Sequence, residues 1–215
     1  MTVNGRPMIT LHHLNNSRSQ RILWLLEELG VAYEVKRYQR DATTRLAPPE
    51  LKAIHPLGKS PVVTDGANVV AESGAIVEYL IDTYGNGRFR PAEGTPAIVP
   101  YRHWLHFAEG SAMLPLMLAL YTGRLGEAAA PLAPRIQSEI VNHLSYLNDS
   151  LAKNPFLLGD ELTGADIQTS FVVEVAAASR LLTAYPNLER YAALIQARPA
   201  YQRALEIGGS YQLGR

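Results

Sequence analysis

Three short stretches hold the residues whose types and spacing could do chemistry. In Ser17-Arg18-Ser19-Gln20 a serine stands three residues ahead of a glutamine, directly before an amphipathic run. That is the signature of a capping box, in which the two side chains satisfy N–H groups at a helix start. On helix physics alone Ser17 is a cap. The same location also suits chemistry, because a helix N-terminus presents unpaired N–H groups and the positive end of the macrodipole. A thiol docked there is shifted toward its thiolate, and a hydroxyl donor beside it stabilises the anion further. Arg18 adds positive charge there or is a solvated surface residue.

Leu57-Gly58-Lys59-Ser60-Pro61-Val62 sets a proline directly before a strand. An X–Pro bond in such a tight turn can be cis. The turn would leave the Ser60 backbone N–H and C=O to pair with a peptide-like ligand, as an added strand does. Lys59 either binds a ligand carboxylate or is an exposed lysine. In Ala71-Glu72-Ser73-Gly74, Ser73 reads as the N-cap of the next helix. A helix N-terminus also binds carboxylates, and Glu72 beside it can pair with an ammonium. Together they match an amino-acid α-carboxylate and α-amine, although each stretch alone has an ordinary structural explanation.

Composition narrows what these stretches can serve. The chain has no cysteine, so disulfides, thiolate zinc sites and a protein thiol nucleophile are excluded. Any sulfur chemistry needs sulfur carried in by a ligand, and no metal is expected. Lys plus Arg and Asp plus Glu balance at 20 each, which argues against nucleic acid or an anionic membrane as partner, since both need clustered positive charge. No segment approaches the ~18 apolar residues of a membrane span, and Met1 to Pro7 lacks the apolar run of a signal peptide. A cytoplasmic location is the expectation.

The elements that must position these residues follow from periodicity. Met8 to Leu14 is strand-like; Ile22, Leu23, Leu25, Leu26 and Leu29 recur at helical spacing, with Gly30 as the stop; Tyr33 to Tyr38 alternates again. Pro48-Pro49-Glu50 opens a short helix through Ile54. Pro61 to Thr64 and Val69 to Ala71 flank Asp65-Gly66-Ala67-Asn68 as a hairpin, and a helix from Ser73 to Tyr84 closes the unit. Gly85 to Pro96 reads as a linker. Beyond it all is helical: 97–122, 134–153, 165–182, 187–197 and 200–207. Pro115 should kink or break the first of these. The expected organisation is an α/β domain over 1–85 (βαβ-α-ββα), a linker at 86–96 and an all-α domain over 97–215.

Taken together, the spacing from Asn16-Ser17 through Pro61 to Glu72-Ser73, ahead of an all-helical half, resembles the glutathione transferase family across essentially the whole chain. Ala47-Pro48-Pro49-Glu50-Leu51-Lys52, Ile54-His55-Pro56-Leu57-Gly58 and the late Arg198-Pro199-Ala200-Tyr201-Gln202-Arg203-Ala204-Leu205 look like its yeast-type branch of fungi and bacteria. The resemblance implies a thioredoxin-like first domain, a homodimer, a role in detoxification, and glutathione with a small hydrophobic electrophile as substrates. It makes Pro61 the family's cis-proline and the Ser60 backbone the partner of the cysteinyl part of glutathione. Glu72 and Ser73 would hold the γ-glutamyl end, and Lys59 the glycine carboxylate, with His55 and Arg18 nearby. Thr163 and Asp166 match the family's buried capping box and read as fold determinants.

The sequence departs from the family where the sulfur should sit. Counting back from Gly30, the position used by several serine- and cysteine-type members falls on Asn16, followed by Ser17. Asn16 can donate through its amide and Ser17 through its hydroxyl; Ser17 ranks first. Trp104, Phe107 and Ser111 share a helix face, with Tyr101 close to it. Tyr101, Glu109 and Ser111 are the expected second-substrate contacts, the last two as polar residues in an apolar stretch. Conjugation competes with glutathione-dependent disulfide or peroxide reduction on the same site, and with a non-catalytic binding or regulatory module.

Overall fold

Alternation in the first strand meets cover on both faces. β1 (Ile9–Leu14) is buried at every position but Thr10, because it runs in the middle of a four-stranded sheet. β2 (Tyr33–Tyr38) pairs with it in parallel, from Ile9 opposite Tyr33 to Leu14 opposite Tyr38. β3 (Val62–Asp65) pairs on its other side, antiparallel. β4 (Asn68–Ala71) completes the hairpin through a two-residue turn, Asp65 facing Asn68. The sheet order is β2-β1-β3-β4, and Pro49–Ala53 forms a single 3-10 turn between β2 and β3. The computed structural model describes residues 2–3, 6–209 and 211–213. Met1, Asn4 and Gly5, part of the N-terminal stretch weighed above, lie outside them.

Helix α1 (Ser19–Leu29) ends as expected at Gly30, whose φ of 67° is the left-handed stop that glycine adopts without strain. It is not an amphipathic surface helix. Only Glu27 and Glu28 are part-exposed, since the sheet, α2 (Ser73–Tyr84) and α8 (Pro199–Gly208) all pack on it. A helix apolar nearly all round must be covered nearly all round. The two glutamates make its polar contacts with α8. Arg198 clasps Glu28 through Nε and Nη2 at 2.6 and 2.9 Å, and Arg203 Nε donates to Glu27 at 2.8 Å. Trp24 meets Tyr201 edge-on, ring centres 5.5 Å apart. At Gly208 a Cβ would stand 2.5 Å from the Gln20 amide oxygen and 3.2 Å from Leu23, so any side chain there would have to displace the Gln20 amide and press on Leu23.

Two units divide the chain, Met1–Arg90 with Gln196–Gln212 and Pro91–Ile195 with Leu213–Arg215. The first division falls within the Gly/Pro-rich stretch, while the final helix, grouped with the helical half on sequence, packs with the α/β unit.

The second unit is built from α3 (Ile98–Phe107), α4 (Met113–Thr122), α5 (Ala133–Ser150), α6 (Gly164–Ala178) and α7 (Pro186–Gln196). Pro115 does not break the first run. Its effect is taken up one turn earlier, where Ala108–Ala112 widens into a π turn. Proline cannot bond the carbonyl four residues back, and a widened turn is one way a helix continues past such a gap. Ahead of α6 the capping box is formed. The Asp166 carboxylate accepts from the Thr163 N–H and hydroxyl, both at 2.8 Å, from the Leu157 N–H at 2.9 Å and from the Tyr191 hydroxyl at 3.0 Å.

Candidate functional site

The Asn15-Asn16-Ser17 turn connects β1 to α1 and is held from two sides. On one, Arg40 gives its N–H to Asn15 Oδ1 at 2.8 Å and its guanidinium to the carbonyls of Asn15 and Asn16, each at 3.2 Å. On the other, the Gln212 N–H donates to Asn16 Oδ1 at 2.7 Å. Asn16 stands in the left-handed region at φ 50°, which asparagine tolerates better than most residues. Neither Arg40 nor Gln212 was singled out on sequence. They lie 24 and 196 residues away, and no local pattern announces such partners.

The expected Ser17–Gln20 capping box does not form. The α1 terminus carries no side-chain cap bond, and the Gln20 amide nitrogen, buried, has no partner among the described residues. The Ser17 hydroxyl, 5% exposed, turns back instead. It donates to the Leu14 carbonyl at 2.8 Å and accepts from the Ser19 N–H at 3.2 Å. Ser19 Oγ lies 2.8 Å from Ser17 Oγ, 3.1 Å from the same carbonyl and 2.9 Å from His13 Nδ1. Arg18, half-buried, takes the position before the helix.

His13 anchors this network from beneath. Burial pushes its imidazole down to about 4, a bond to the Gly208 main chain pulls the other way, and Arg37 lowers it further. The unfolded chain, titrating near 6.5, therefore takes up this proton first. Stability is lost as pH falls from 6.5 toward 4, by ~3 kcal/mol from this group. His12, lowered by burial and by Lys36, acts in the same direction. Urea melts across this range should show the decline, shallower in His13→Gln. An unchanged slope in that variant removes His13 as its source.

The second stretch is tied to the end of β1. Ser60–Pro61 is a cis peptide. The Ser60 hydroxyl accepts from the Leu14 N–H at 3.2 Å and donates to the His12 carbonyl at 2.8 Å, so it closes the sheet edge where the β1–β3 ladder stops at Val62. Lys59 is exposed. His55 is half-buried, its N–H bonded to the Leu51 carbonyl at 3.0 Å.

The third stretch differs from expectation by one residue. Glu72, not Ser73, is the N-cap of α2. Its side chain is exposed and its backbone sits at φ 67°, ψ 118°, a conformation that L residues with a side chain populate rarely and at a cost of ~1–3 kcal/mol. Ser73 is the first helical residue, and its hydroxyl receives a hydrogen bond from the guanidinium of Arg21. Arg21 is 1% exposed. Nothing in the sequence marks it, because an arginine on a helix ordinarily reads as surface.

The structure therefore links the three stretches through bonds. Ser60 is fixed to the strand that delivers Ser17, and Arg21, one turn into α1, reaches Ser73. Tyr101, Glu109 and Ser111 belong to the second unit. Tyr101 is 1% exposed, a core position, whereas Glu109 and Ser111 are half-buried and both lie on the π turn. Among the described residues no group of three His, Asp or Glu is gathered to hold a metal, and no helix is long and apolar enough to cross a membrane.

Residues 6–82 match the family model of the glutathione S-transferase N-terminal domain, and residues 114–206 that of the glutathione S-transferase C-terminal domain. Glutathione S-transferase 3 of Schizosaccharomyces pombe is 38% identical, covering 93% of this chain and 87% of its own. Glutathione S-transferase 1 of Saccharomyces cerevisiae is 30% identical, covering 95% and 99%. A glutathione S-transferase structure from Actinobacillus pleuropneumoniae aligns with a TM-score of 0.88 at 40% identity, over 95% of this chain and 94% of that one. A Pseudomonas fluorescens glutathione transferase family member, solved with two glutathione bound, aligns at 0.80 and 27% identity, over 93% and 92%.

Proposed function

Because the chain belongs to the glutathione S-transferase family, we propose that its Asn16-Ser17 turn, Ser60-Pro61 loop and Glu72-Ser73 turn hold one glutathione and activate its thiol. The protein is a glutathione transferase, and the thiolate it forms attacks a small hydrophobic electrophile. The observation that carries the residue assignment is that Ser60 is bonded to β1, the strand leading into the Asn16-Ser17 turn, and Ser73 to Arg21 of α1, the helix leading out of it.

In this reading the γ-glutamyl carboxylate meets the α2 N-terminus and Ser73, where backbone N–H groups and the helix dipole favour an anion. The Glu72 carboxylate pairs with the α-ammonium. With its hydroxyl committed to β1, Ser60 meets the cysteinyl backbone through its own main chain, as an added strand would. Lys59 takes the glycine carboxylate, with His55 and Arg18 at the margin. At the sulfur, the Ser17 hydroxyl turns its proton from the Leu14 carbonyl to the thiolate. That carbonyl is not stranded, since Ser19 Oγ is within 3.1 Å of it. Asn16 is the second donor. Holding the thiolate near its target supplies the proximity part of the rate, and the Ser17 and Asn16 donors to the anion supply the electrostatic part.

Tyr101, Glu109 and Ser111 are the proposed contacts of the electrophile. A homodimer through α2 and α3, a cytoplasmic location and a role in detoxification belong to the same proposal. The reductase and binding-module readings are not favoured, because the named relatives are transferases.

Calorimetry with glutathione, followed by turnover of a chloronitroaromatic, tests the assignment. Absence of binding at millimolar glutathione overturns it. Glu72→Gly sharpens the test, since it removes the carboxylate and frees the strained φ together. We expect affinity to fall at least about tenfold while the protein becomes more stable by ~1 kcal/mol, the strain released less the added freedom of an unfolded glycine. A glycine variant that binds as tightly as the parent removes Glu72 from the site.

A further inference from the structure

We propose that the chain segment after α8 is a positioning element of the sulfur site: the main-chain N–H of Gln212 fixes the amide of Asn16 so that its NH2 group faces the thiolate. The proposal rests on the reading of Asn16-Ser17 as the sulfur turn and extends it to residues that no local pattern connects with it.

A backbone N–H can only donate, so the Asn16 atom 2.7 Å from the Gln212 nitrogen is the carbonyl oxygen, and the orientation of the amide is set by chemistry. With Oδ1 taken, Nδ2 carries the two hydrogens on the opposite branch of the side chain. Among the described residues they meet no acceptor. Ser17 differs, because its single proton already rests on the Leu14 carbonyl at 2.8 Å. The turn thus holds one donor that must rotate before it can serve an anion and one that is already aimed. A preorganised donor is the more effective kind, as nothing has to reorient when charge develops.

The rest of the turn is braced, and so is the end of α8 from which the segment departs. Arg40 holds the Asn15 and Asn16 carbonyls, so the Asn16 backbone cannot swing to follow its side chain. The His13 ring bonds the Gly208 main chain, and Arg37 Nη2 donates to the Ile207 carbonyl at 2.6 Å. The end of α8, four residues ahead of Gln212, is therefore tied to β1 and β2. Free rotation of the Asn16 side chain would present oxygen as often as nitrogen, and an oxygen beside a thiolate is repulsive. The single Gln212 bond removes that alternative.

Gln212→Pro tests this by deleting the N–H at a position outside helix and sheet; the ring also fixes φ and restricts the residue before it, which the second variant controls. Leu213→Pro carries the same ring one residue later and keeps the Gln212 N–H. For each variant the bound thiol is titrated by thiolate difference absorbance at saturating glutathione. Affinity is measured separately with S-methylglutathione, which has no ionisable thiol. In Gln212→Pro the apparent thiol pKa should rise by about one unit, a tenfold loss of thiolate on the acid side, with affinity for S-methylglutathione within about twofold. Leu213→Pro should titrate like the parent. Equal shifts in the two proline variants, or weaker S-methylglutathione binding with an unmoved thiol pKa, overturn the proposal. Asn16→Ala separates the layers. If it leaves the thiol pKa in place while Ser17→Ala raises it, the positioning role falls and the Ser17 assignment stands. A parent protein that shows no thiolate band with glutathione removes the reading on which both rest.

Discussion

Replacing Ser17 by alanine is expected to lower transferase turnover by about a hundredfold while KM for glutathione moves by less than about threefold. Loss of one donor to a developing or resident anion typically weakens catalysis by ~10²–10³. The Ser17 hydroxyl, which must first turn from the Leu14 carbonyl, belongs at the low end of that range, and the peptide portion of the ligand is held by other residues. The split between kcat and KM is the informative part. Ser17 is buried and bonded, so a general loss of structure could also reduce activity, but that would affect binding as well. Stability should fall only by ~1 kcal/mol: Ser19 Oγ, 3.1 Å from the Leu14 carbonyl, remains to satisfy it, while the buried Ser19 N–H loses its Ser17 acceptor. Steady-state kinetics with a urea melt on the same preparation decide the matter. If Asn16→Ala shows the kcat effect and Ser17→Ala does not, the two residues exchange roles. If KM rises as steeply as kcat falls, Ser17 is a structural cap.

Asp166→Ala is expected to be the most damaging single change to the fold, at ~3–5 kcal/mol, because it strands several buried donors at once. Burial pushes the Asp166 carboxyl up, while the Leu157, Thr163 and Tyr191 donors around it pull it down. Removing the carboxylate leaves the Leu157 and Thr163 N–H groups, the Thr163 hydroxyl and the Tyr191 hydroxyl without their shared acceptor. The start of α6, the loop before it and α7 then lose a common anchor. Asp166→Asn should recover only part of the loss, since its NH2 must face one of the donors. Denaturant melts of the two variants read this directly, and a loss under about 1 kcal/mol for alanine would mean that the network carries little.

The sheet and helices were legible because their signals are local. Strand alternation in Tyr33–Tyr38, the turn between Asp65 and Asn68, the glycine stop at Gly30 and the Thr163-x-x-Asp166 spacing each state their structure within a few residues. Three of the deepest site features were not legible. Arg21 reaches Ser73 across 52 residues and Gln212 reaches Asn16 across 196, contacts that exist only once the chain has folded. The backbone at Glu72 is strained because its surroundings hold it there, and a sequence records neither φ nor the forces that impose it. The Ser17–Gln20 spacing reads as a capping box for a related reason. The motif tests which bonds are possible, and in the folded chain the Leu14 carbonyl and the Ser19 amide claim the hydroxyl instead. Pro115 announces a disturbance in the sequence, but not that the helix absorbs it at Ala108–Ala112.

The return of α8 to α1 has a consequence for how the molecule is made. The helix that covers Trp24 is encoded after the whole of residues 91–195, so the α/β unit is discontinuous along the messenger and cannot finish when its first ninety residues leave the ribosome. At ~5–20 residues per second, roughly five to twenty seconds pass before Tyr201 and Gly208 are available. Through that interval Trp24 lacks the Tyr201 ring and Leu23 lacks the close approach of Gly208 that meet them in the folded protein. The helical unit, continuous in sequence up to Ile195, can be complete before the unit that precedes it.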